Sequence, residues 1–373
     1  MSKIKIAIFF TYDYSVELLK KTGLFEREMK IYNDLHKKYN LDFIFITYDK
    51  NINFEENYNN FTFITVYKYI KESKFKSIKL LKSLTVPFKI KNDLKSVDVL
   101  HQHQLLGSWI PIILKFILKK PLLIRTGYDA YLFSINNREE WYKTLFYKLL
   151  TFYSLKYSNL YTVTSTSDYK FLLNYFKVKN IKVVPNWITE VKELREERDK
   201  SKILMVGRLE KQKNFSLALE FMNRLDNNFE LDIYGSGSEL DSLIEMKERY
   251  KLKVNFFSNI EHKNLIRKYQ EYEYFLSTST FEGNPKTILE AINSECIVFA
   301  TNIQNHSEII YDNENGFLFN SIDELLYKFQ NVDRDENLKK YIRSNCKKSL
   351  IHNSIQKISE LMYLDYKLLT SFK

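Results

Sequence analysis

The sequence predicts an α/β protein made of two doubly wound parallel-sheet domains, on three observations. The chain has 373 residues, which is more than one hydrophobic core usually serves. Short apolar runs alternate with helical stripes of apolar residues through the first half, as strand–helix–strand units do. The same alternation starts again after a charge-dense stretch near the middle. In such sheets ligands bind at the carboxyl ends of the strands, where we therefore expect a site.

The first half opens with a strand–helix–strand unit. The run Ile4–Phe10 is short and apolar, residues 24–39 carry apolar side chains at helical spacing, and Leu41–Thr47 is again strand-like. The later buried strands of this half are predicted at Val97–Leu100, Leu122–Ile124, Tyr161–Thr164 and Ile181–Val184.

The second half repeats the architecture after Pro185-Asn186 and the charged stretch Thr189–Lys200. Strands are predicted at Ile203–Val206, Leu231–Tyr234, Val254–Phe257, Tyr274–Ser277 and Ile297–Ala300, followed by helical pattern from about residue 322 onward. We therefore predict an N-terminal domain at 1–187, a linker at 188–200, a C-terminal domain at 201–350 and a final helix at 351–373.

Cysteine usage and hydropathy indicate a cytosolic location. Two cysteines, Cys296 and Cys346, make no disulfide framework, which suits a reducing cytosol. The apolar run at the start is short and becomes polar, so we expect a first strand rather than a signal peptide. No uncharged apolar stretch reaches the roughly 18 residues that a membrane span needs.

Positive charge is concentrated in the first half of the chain. Residues 1–185 carry 30 Lys and Arg against 16 Asp and Glu, whereas the rest carries 27 against 30. The densest part, Lys68–Lys95, interleaves lysines with Tyr and Phe. This composition suits an anionic membrane surface. Nucleic acid and an ordinary solvated face are the two alternatives.

The most informative segment is Ser279–Ala291, in which two carboxylates bracket a Gly-Asn-Pro turn that opens a helix. We predict Asn284 as the N-cap and Pro285 as the first helical residue. The amides of the next three residues, Lys286, Thr287 and Ile288, would then seat a phosphate.

The two carboxylates of this segment would bind the two groups that flank that phosphate. Glu290, more than a turn into the helix, suits the two hydroxyls of a ribose, and Glu282 faces whatever the phosphate carries. Phosphate, ribose and a third group in a row indicate a nucleotide-sugar site. A plain helix cap is the alternative reading of the segment.

Two further motifs follow predicted strands. Gly207-Arg208 follows one strand, and Lys213 comes five residues later, so the two cations can clamp a diphosphate. Gly235-Ser236-Gly237 follows the next strand and lacks the third glycine of a dinucleotide motif. We expect this motif to pack against a nucleobase.

Taken together, these motifs resemble, in order and spacing, the donor half of retaining glycosyltransferases of family 4, which have the GT-B fold. That resemblance implies two Rossmann-like domains facing a cleft, with C-terminal helices packing back toward the N-terminal domain. It also implies transfer of a sugar from a nucleotide donor without a metal or other cofactor.

Carried across to this chain, the resemblance assigns roles to residues. Glu282, Arg208 and Lys213 would be catalytic. The donor would be bound by Gly23, Gly207, Arg208, Lys213, Gly235, Gly283, Asn284, Pro285, Lys286, Thr287, Ile288 and Glu290. The chain departs from the family pattern at Trp187 and Glu295, where glycine is usual.

The acceptor side offers four candidates and no metal site. His101 and His103 follow a predicted strand with both imidazoles toward the cleft, and Arg125 and Asp129 follow the next one. Acceptor binding and ordinary polar packing both fit these residues. A zinc site would need a third ligand, and none lies nearby in the sequence.

The sequence therefore predicts a cytoplasmic transferase, peripheral on the inner face of the cell membrane. It would move a hexose or N-acetylhexosamine from a UDP- or GDP-sugar to a polyprenyl-linked oligosaccharide or a lipopolysaccharide core. The alternatives are a nucleotide-sugar epimerase, a phosphorylase, or a non-catalytic membrane- or nucleic-acid-binding module with a vestigial donor site.

Overall fold

The computed structural model describes residues 3–50, 58, 60–189, 191, 197–226 and 228–371. The chain divides into two compact units, Met1–Pro185 with Ile358–Lys373, and Asn186–Lys357. The division falls two residues before the predicted end of the first domain. Residues 190 and 192–196 of the predicted linker lie outside the described residues, and a strand already begins at Asp199.

Unit 1 is built on a seven-stranded parallel sheet with the order β3-β2-β1-β4-β5-β6-β7. Its strands are β1 (Lys5–Phe9), β2 (Asp42–Thr47), β3 (Thr62–Thr65), β4 (Val99–His103), β5 (Leu122–Thr126), β6 (Leu160–Val163) and β7 (Ile181–Val183). Its helices are α1 (Val16–Lys21), α2 (Phe25–Tyr39), α3 (Lys76–Ser83), α4 (Val86–Ile90), α5 (Trp109–Leu118), α6 (Ala130–Asn136), α7 (Trp141–Tyr157) and α8 (Thr166–Phe176).

Unit 2 has a six-stranded parallel sheet with the order β10-β9-β8-β11-β12-β13. Its strands are β8 (Asp199–Val206), β9 (Glu230–Tyr234), β10 (Val254–Phe257), β11 (Tyr272–Ser277), β12 (Ile297–Thr301) and β13 (Phe317–Phe319). The helices that follow in sequence are α9 (Phe215–Arg224), α10 (Leu240–Tyr250), α11 (His262–Glu271), α12 (Lys286–Asn293), α13 (Gln304–Ser307), α14 (Ile322–Arg334), α15 (Glu336–Ser349) and α16 (Ile355–Thr370).

Both sheets are apolar on both faces because helices cover them, as parallel sheets require. Their central strands are almost entirely buried and rich in aliphatic and aromatic residues. Short polar side chains start several helices: Ser15, Ser165 and Ser321 each accept a backbone N–H from the first turn. The predicted fold class of two doubly wound parallel sheets is therefore confirmed.

The final helix α16 belongs largely to unit 1, because the chain from Ile358 onward packs there. The Tyr366 hydroxyl lies 2.7 Å from Nδ1 of His101 in the central strand β4. The Lys182 ammonium lies 2.6 Å from the carboxylate of Asp365. Both contacts join the last helix to the sheet of unit 1.

The predicted strands all exist, with ends shifted by up to four residues. Two short edge strands, β3 and β13, were not predicted. The prediction that His101 and His103 follow a strand is wrong, since β4 continues through His103. Hydrogen bonding to β1 and β5 on its two sides extends the strand past its apolar run.

Two loops at the ends of β8 and β9 run side by side in backbone contact. The Gly207 amide donates to the carbonyl of Tyr234, and the Leu209 amide donates to that of Ser236. A Cβ added to Gly235 would lie 1.9 Å from the Gly207 carbonyl oxygen. Gly235 is therefore required for this close approach of two backbones. This structural role is independent of the ligand contact predicted for the same residue.

Replacing Gly235 by alanine should destabilise unit 2 by about 3 kcal/mol, because the new methyl group overlaps backbone rather than a mobile side chain. The matched control is Gly207→Ala, whose Cβ would lie 3.5 Å from the nearest atom, an ordinary contact. Thermal unfolding followed by circular dichroism should show a clear drop in midpoint for Gly235→Ala alone. Equal midpoints for the two variants would contradict this account.

Candidate functional site

The predicted site residues of unit 2 meet at one edge of its sheet. The loops after β8, β9, β11 and β12 all leave the carboxyl ends of neighbouring parallel strands. These loops hold Lys213, Gly235, Glu282 and Asn305, in that order. The sheet thus gathers residues that are up to about a hundred positions apart in sequence.

Glu282 is the centre of this edge and is almost fully buried. Its Oε1 lies 2.5 Å from the Lys213 ammonium and accepts a 2.7 Å hydrogen bond from the Ser279 hydroxyl. Burial raises the pKa of Glu282, but the charge of Lys213 and the hydrogen bonds from Lys213 and Ser279 outweigh it, so the pKa is below its ordinary value. A buried carboxylate is thus kept ionised by a single lysine.

The turn that carries Lys213 is tied to the Glu282 loop by backbone contacts. The Thr280 amide donates to the carbonyl of Gln212, and the Gln212 side chain donates to the carbonyl of Phe281. The Thr278 hydroxyl donates to the carbonyls of Lys213 and Asn214. The ion pair is therefore preorganised by its surrounding loops as well as by charge.

The prediction that Asn284 caps helix α12 is wrong. The N-cap is Pro285, and the helix starts at Lys286. Asn284 is occupied elsewhere: its side-chain oxygen accepts from the Asn186 amide at 3.0 Å, and its carbonyl accepts from the Asn186 side chain at 2.7 Å. These two bonds align the loop on the segment after Pro185.

The first turn of α12 nevertheless has the predicted residues. The first i→i−4 hydrogen bond runs from the Leu289 amide to the Pro285 carbonyl, so the amides of Lys286, Thr287 and Ile288 precede it. The Lys286 ammonium lies 4.4 Å from the centre of the Trp187 ring. Trp187, at a position where glycine was expected, thus packs beside this helix start, while Gly283 is held through its carbonyl by the Asn305 side chain.

Glu290 is buried and has a partner that sequence reasoning missed. The Nε2 atom of His262, at the start of α11, lies 2.8 Å from its Oε1. Because an ionised carboxylate only accepts, this nitrogen carries the proton and donates. No motif marks a lone histidine after β10, so only the packing of α11 on α12 reveals the pair.

His306 is a second histidine of this edge that the sequence did not single out, and it is fully buried. Its Nδ1 lies 2.8 Å from the Thr301 carbonyl, so Nδ1 carries the proton and Nε2 is an acceptor. Burial lowers the pKa of His306 to about 4, against the opposing effect of Glu282. A neutral imidazole therefore stands near the carboxylate.

Arg208 and Gly207 lie in the open part of the loop after β8. Arg208 is exposed, and Gly207 is half-buried beside the Lys213 side chain. Arg208 and Lys213 leave the same loop, one toward solvent and one toward Glu282. The structure places both cations at the carboxyl end of β8, as predicted from their spacing.

The acceptor candidates lie in unit 1, where His101, Arg125 and Asp129 contact the surrounding fold. His101 was expected to face a cleft, but it is fully buried against Tyr366 of α16. Burial, with His103 and Arg125 nearby, lowers the pKa of His101 well below its ordinary value. Its neighbour His103 is half-buried at the carboxyl end of β4.

Arg125 and Asp129 also make local contacts. The Arg125 guanidinium donates to the carbonyls of Val184 and Pro185, at 2.8 and 3.1 Å, which fixes the chain where unit 1 passes to unit 2. Asp129 is the N-cap of α6 and accepts from the Leu132 amide. Burial raises the pKa of Asp129 to about 6.

Gly23 completes the predicted set and lies in unit 1. It has φ +68° and follows the C-cap of α1, with its amide bonded to the Lys20 carbonyl and the next amide bonded to that of Leu19. This is a Schellman motif, in which only glycine avoids a steric penalty. Among the described residues, no group of three His, Cys, Asp or Glu is placed to hold a metal ion.

The fold and this edge define a class: two Rossmann-like parallel-sheet units of the GT-B type. Residues 188–349 match the family model described as "Glycosyl transferases group 1", so the chain carries a domain of that family. The structure is similar to sucrose-phosphate synthase from Thermosynechococcus elongatus, with a TM-score of 0.81 at 15% identity over 100% of both chains. At that identity the likeness shows the fold alone.

Two curated relatives are similar over parts of the chain. One is "Poly(ribitol-phosphate) alpha-N-acetylglucosaminyltransferase" of Staphylococcus aureus (strain COL), 28% identical over 39% of this chain and 31% of its own length. The other is "N-acetylgalactosamine-N,N'-diacetylbacillosaminyl-diphospho-undecaprenol 4-alpha-N-acetylgalactosaminyltransferase" of Campylobacter jejuni, 29% identical over 39% and 40%. The chain thus spans less than half of the length of either relative.

Lys213→Met should destabilise unit 2 by about 3 to 5 kcal/mol at neutral pH, because it leaves the buried Glu282 charge without its partner. In the native protein the pKa of Glu282 is below 4.5, the ordinary pKa of a glutamate. Ionised Glu282 therefore stabilises the fold above about pH 4.5, and this stabilisation is lost as the pH falls through the lowered pKa. In the variant we expect burial to outweigh the remaining Ser279 hydrogen bond and to raise that pKa, so that ionisation costs stability as the pH rises. Urea midpoints should therefore differ more at about pH 7.5 than at about pH 5.

The control for this prediction is the double variant Lys213→Met with Glu282→Gln. Removing the orphaned charge should restore part of the lost stability and flatten the pH dependence. A loss of equal size at both pH values, unchanged in the double variant, would show that Lys213 acts through packing rather than charge.

Proposed function

We propose that the chain is a retaining glycosyltransferase that moves a hexose or N-acetylhexosamine from a UDP- or GDP-sugar to a membrane-associated saccharide. The observation that carries the proposal is the buried Lys213–Glu282 pair beside the first turn of α12, with the Glu290–His262 pair one turn further along. The groups of a nucleotide sugar each find a match here. The lysine and the three amides at the helix start suit the diphosphate, and the two carboxylates suit the ribose and the sugar.

Each part of the donor has a counterpart at this edge. Arg208 and Lys213 would bind the diphosphate, helped by the amides at the start of α12. Glu290 would accept hydrogen bonds from the ribose hydroxyls, held in orientation by His262. Glu282, with the backbone of Gly283, Asn284 and Pro285, would contact the sugar.

The same cations would support the chemistry. The bond between the anomeric carbon and the diphosphate oxygen breaks while a bond to the acceptor oxygen forms on the same face of the sugar. The acceptor proton passes to the departing phosphate oxygen. Because negative charge grows on the diphosphate, Arg208 and Lys213 stabilise the transition state more than the bound donor, and the proposal needs no metal.

The relatives support the acceptor class and the stereochemistry. Both are named for alpha transfer of an N-acetylhexosamine, one to a poly(ribitol-phosphate) and one to a diphospho-undecaprenol saccharide. An alpha product from an alpha-linked donor is retention. For this chain we infer a polyprenyl-linked oligosaccharide or a lipopolysaccharide core as acceptor.

A basic, partly apolar surface of unit 1 supports a peripheral membrane location on the cytoplasmic side. In α3, α4 and their flanks, five large apolar side chains are 42 to 69% exposed among the lysines of the Lys68–Lys95 segment: Phe75, Ile78, Leu81, Leu84 and Phe88. Exposed apolar groups beside lysines fit an anionic bilayer. Within the described residues, no helix is long and apolar enough to span one.

Nucleotide binding tests the donor half. One of UDP, GDP, ADP and CMP should raise the thermal midpoint of the wild type, since ligand at 100 times its dissociation constant adds about 2.7 kcal/mol. Glu290→Ala should remove this shift, and Glu248→Ala, an exposed glutamate on α10, should retain it. If no nucleotide shifts the midpoint, the donor site is vestigial and the transferase proposal fails.

Activity then separates the related enzymes. Release of nucleoside diphosphate that depends on a saccharide acceptor supports the transferase. Isomerisation of the donor with no acceptor indicates an epimerase, and sugar-phosphate formation from inorganic phosphate indicates a phosphorylase.

His262→Ala should weaken binding of the active nucleotide about tenfold, because Glu290 loses the hydrogen bond that orients it. His262→Gln retains a donor at similar reach and should lose less. In the Glu290→Ala background the His262→Ala change should add nothing, as expected for residues that act as a pair. Isothermal titration at millimolar nucleotide concentration compares the wild type, the two His262 variants, Glu290→Ala and the double variant; independent, additive losses would contradict the pairing.

A further inference from the structure

Helix α7 presents an unusually apolar face to solvent. Its inner face, including Leu150, Thr151, Ser154 and Leu155, is buried on unit 1. Seven large side chains on the outer face are 39 to 77% exposed: Trp141, Tyr142, Leu145, Phe146, Leu149, Phe152 and Tyr153. They recur at helical spacing over the whole 17-residue helix. A continuous apolar face of this length marks an interaction surface.

The charges on α7 are of one sign. The helix contains Lys143, Lys148 and Lys156 and no acidic residue. Lys143 is paired with Glu139 and Glu140 just before the helix. Lys148 and Lys156 instead lie over aromatic rings, so the exposed face combines rings with cations. Such a face is complementary to an anionic, partly apolar partner.

A groove beside the helix adds a place for an anionic group. It lies between α6 and α7 and is lined by Ile135, Arg138, Trp141, Leu145 and Lys148, together with smaller polar side chains and Glu139. Two cations beside a tryptophan and aliphatic carbons suit a phosphate attached to an apolar chain.

The face continues toward the α3–α4 surface. Helix α5 packs against both α4 and α7. The Ser108 hydroxyl before α5 lies 2.8 Å from that of Ser154 in α7, and the Trp109 indole donates to Ser83 of α3. The helices α3, α4, α5 and α7 therefore form one layer, in which α5 also exposes Phe116.

We propose that the outer face of α7 lies in the headgroup region of an anionic lipid bilayer, as a second membrane-contacting element beside α3–α4. This rests on the membrane association in the proposed function and adds an element to it. Trp141 and the tyrosines, each with an apolar body and a polar tip, suit the interface between headgroups and acyl chains. Lys148 and Lys156 would meet lipid phosphates.

A second copy of this chain fits the face less well. A two-fold interface sets the same patch against itself, so it would bring together two copies of a helix whose charged residues are all lysines. No acidic residue of α7 would compensate for them. The charge pattern therefore favours lipid phosphate over self-association.

Two measurements test the proposal on the full chain. The first is quenching of tryptophan fluorescence by brominated lipid in phosphatidylglycerol vesicles, for wild type and Trp141→Phe. Trp141 is the most exposed tryptophan, while Trp109 is half-buried and Trp187 is buried. We expect the wild type to be quenched and Trp141→Phe to lose most of the quenching.

The second measurement is flotation with vesicles of phosphatidylcholine alone or with phosphatidylglycerol. The α7 variant carries Trp141→Ser, Leu145→Ser and Leu149→Ser, and its binding to anionic vesicles should fall about tenfold. The matched control carries three equally exposed changes in unit 2: Tyr327→Ser, Tyr341→Ser and Ile351→Ser. It should bind as the wild type does. Equal thermal midpoints and nucleotide shifts confirm that both variants are folded.

The outcomes separate this proposal from the one on which it rests. If Phe75→Ser, Leu81→Ser and Phe88→Ser together abolish flotation while the α7 variant floats normally and Trp141 is not quenched, membrane association stands and the role of α7 is overturned. If the wild type never floats, both membrane statements fail, and the nucleotide test is unaffected. A wild-type dimer in light scattering that the α7 variant converts to monomer would assign the face to a second copy.

Discussion

The buried ion pair between Lys213 and Glu282 is the interaction on which the candidate site depends. Glu282 is buried and Lys213 is half-buried, and their pairing offsets the cost of removing the carboxylate charge from water, which is several kcal/mol. Joined, they fix the loop after β8 to the loop after β11. A bound diphosphate would compete with Glu282 for the same lysine, so this ion pair would respond directly to the charge of a donor.

Around this pair, the loops are held mainly by side chains that donate hydrogen bonds to backbone carbonyls. Thr278 and Gln212 bind the carbonyls of each other's loops, Asn186 binds the Asn284 carbonyl, and Gly235 allows two strand ends to touch. These contacts cross-link the loops and preorganise this edge, which reduces the entropy lost on binding.

Unit 1 has a different character, because its predicted acceptor residues serve the fold. His101, Arg125 and Asp129 are buried and hold α16, the chain at Pro185 and the start of α6. Its exposed apolar surfaces are instead on the helices α3, α4 and α7, where large apolar side chains lie among lysines. The two units thus differ in kind: unit 2 carries a polar, ordered edge, whereas unit 1 carries an amphipathic surface.

The sequence by itself determined the alternation of strands and helices, the two sheets and the set Lys213, Glu282 and Glu290, because periodicity and motif spacing are local properties. Glu295 shows the limit of such patterns: it adopts φ +58° after α12, where glycine was expected. Only the tertiary structure decided the true cap of α12, the partner of Glu290 and the burial of His101. Each depends on a contact with an element distant in sequence, from Asn186, His262 and Tyr366, and no local pattern encodes such a contact.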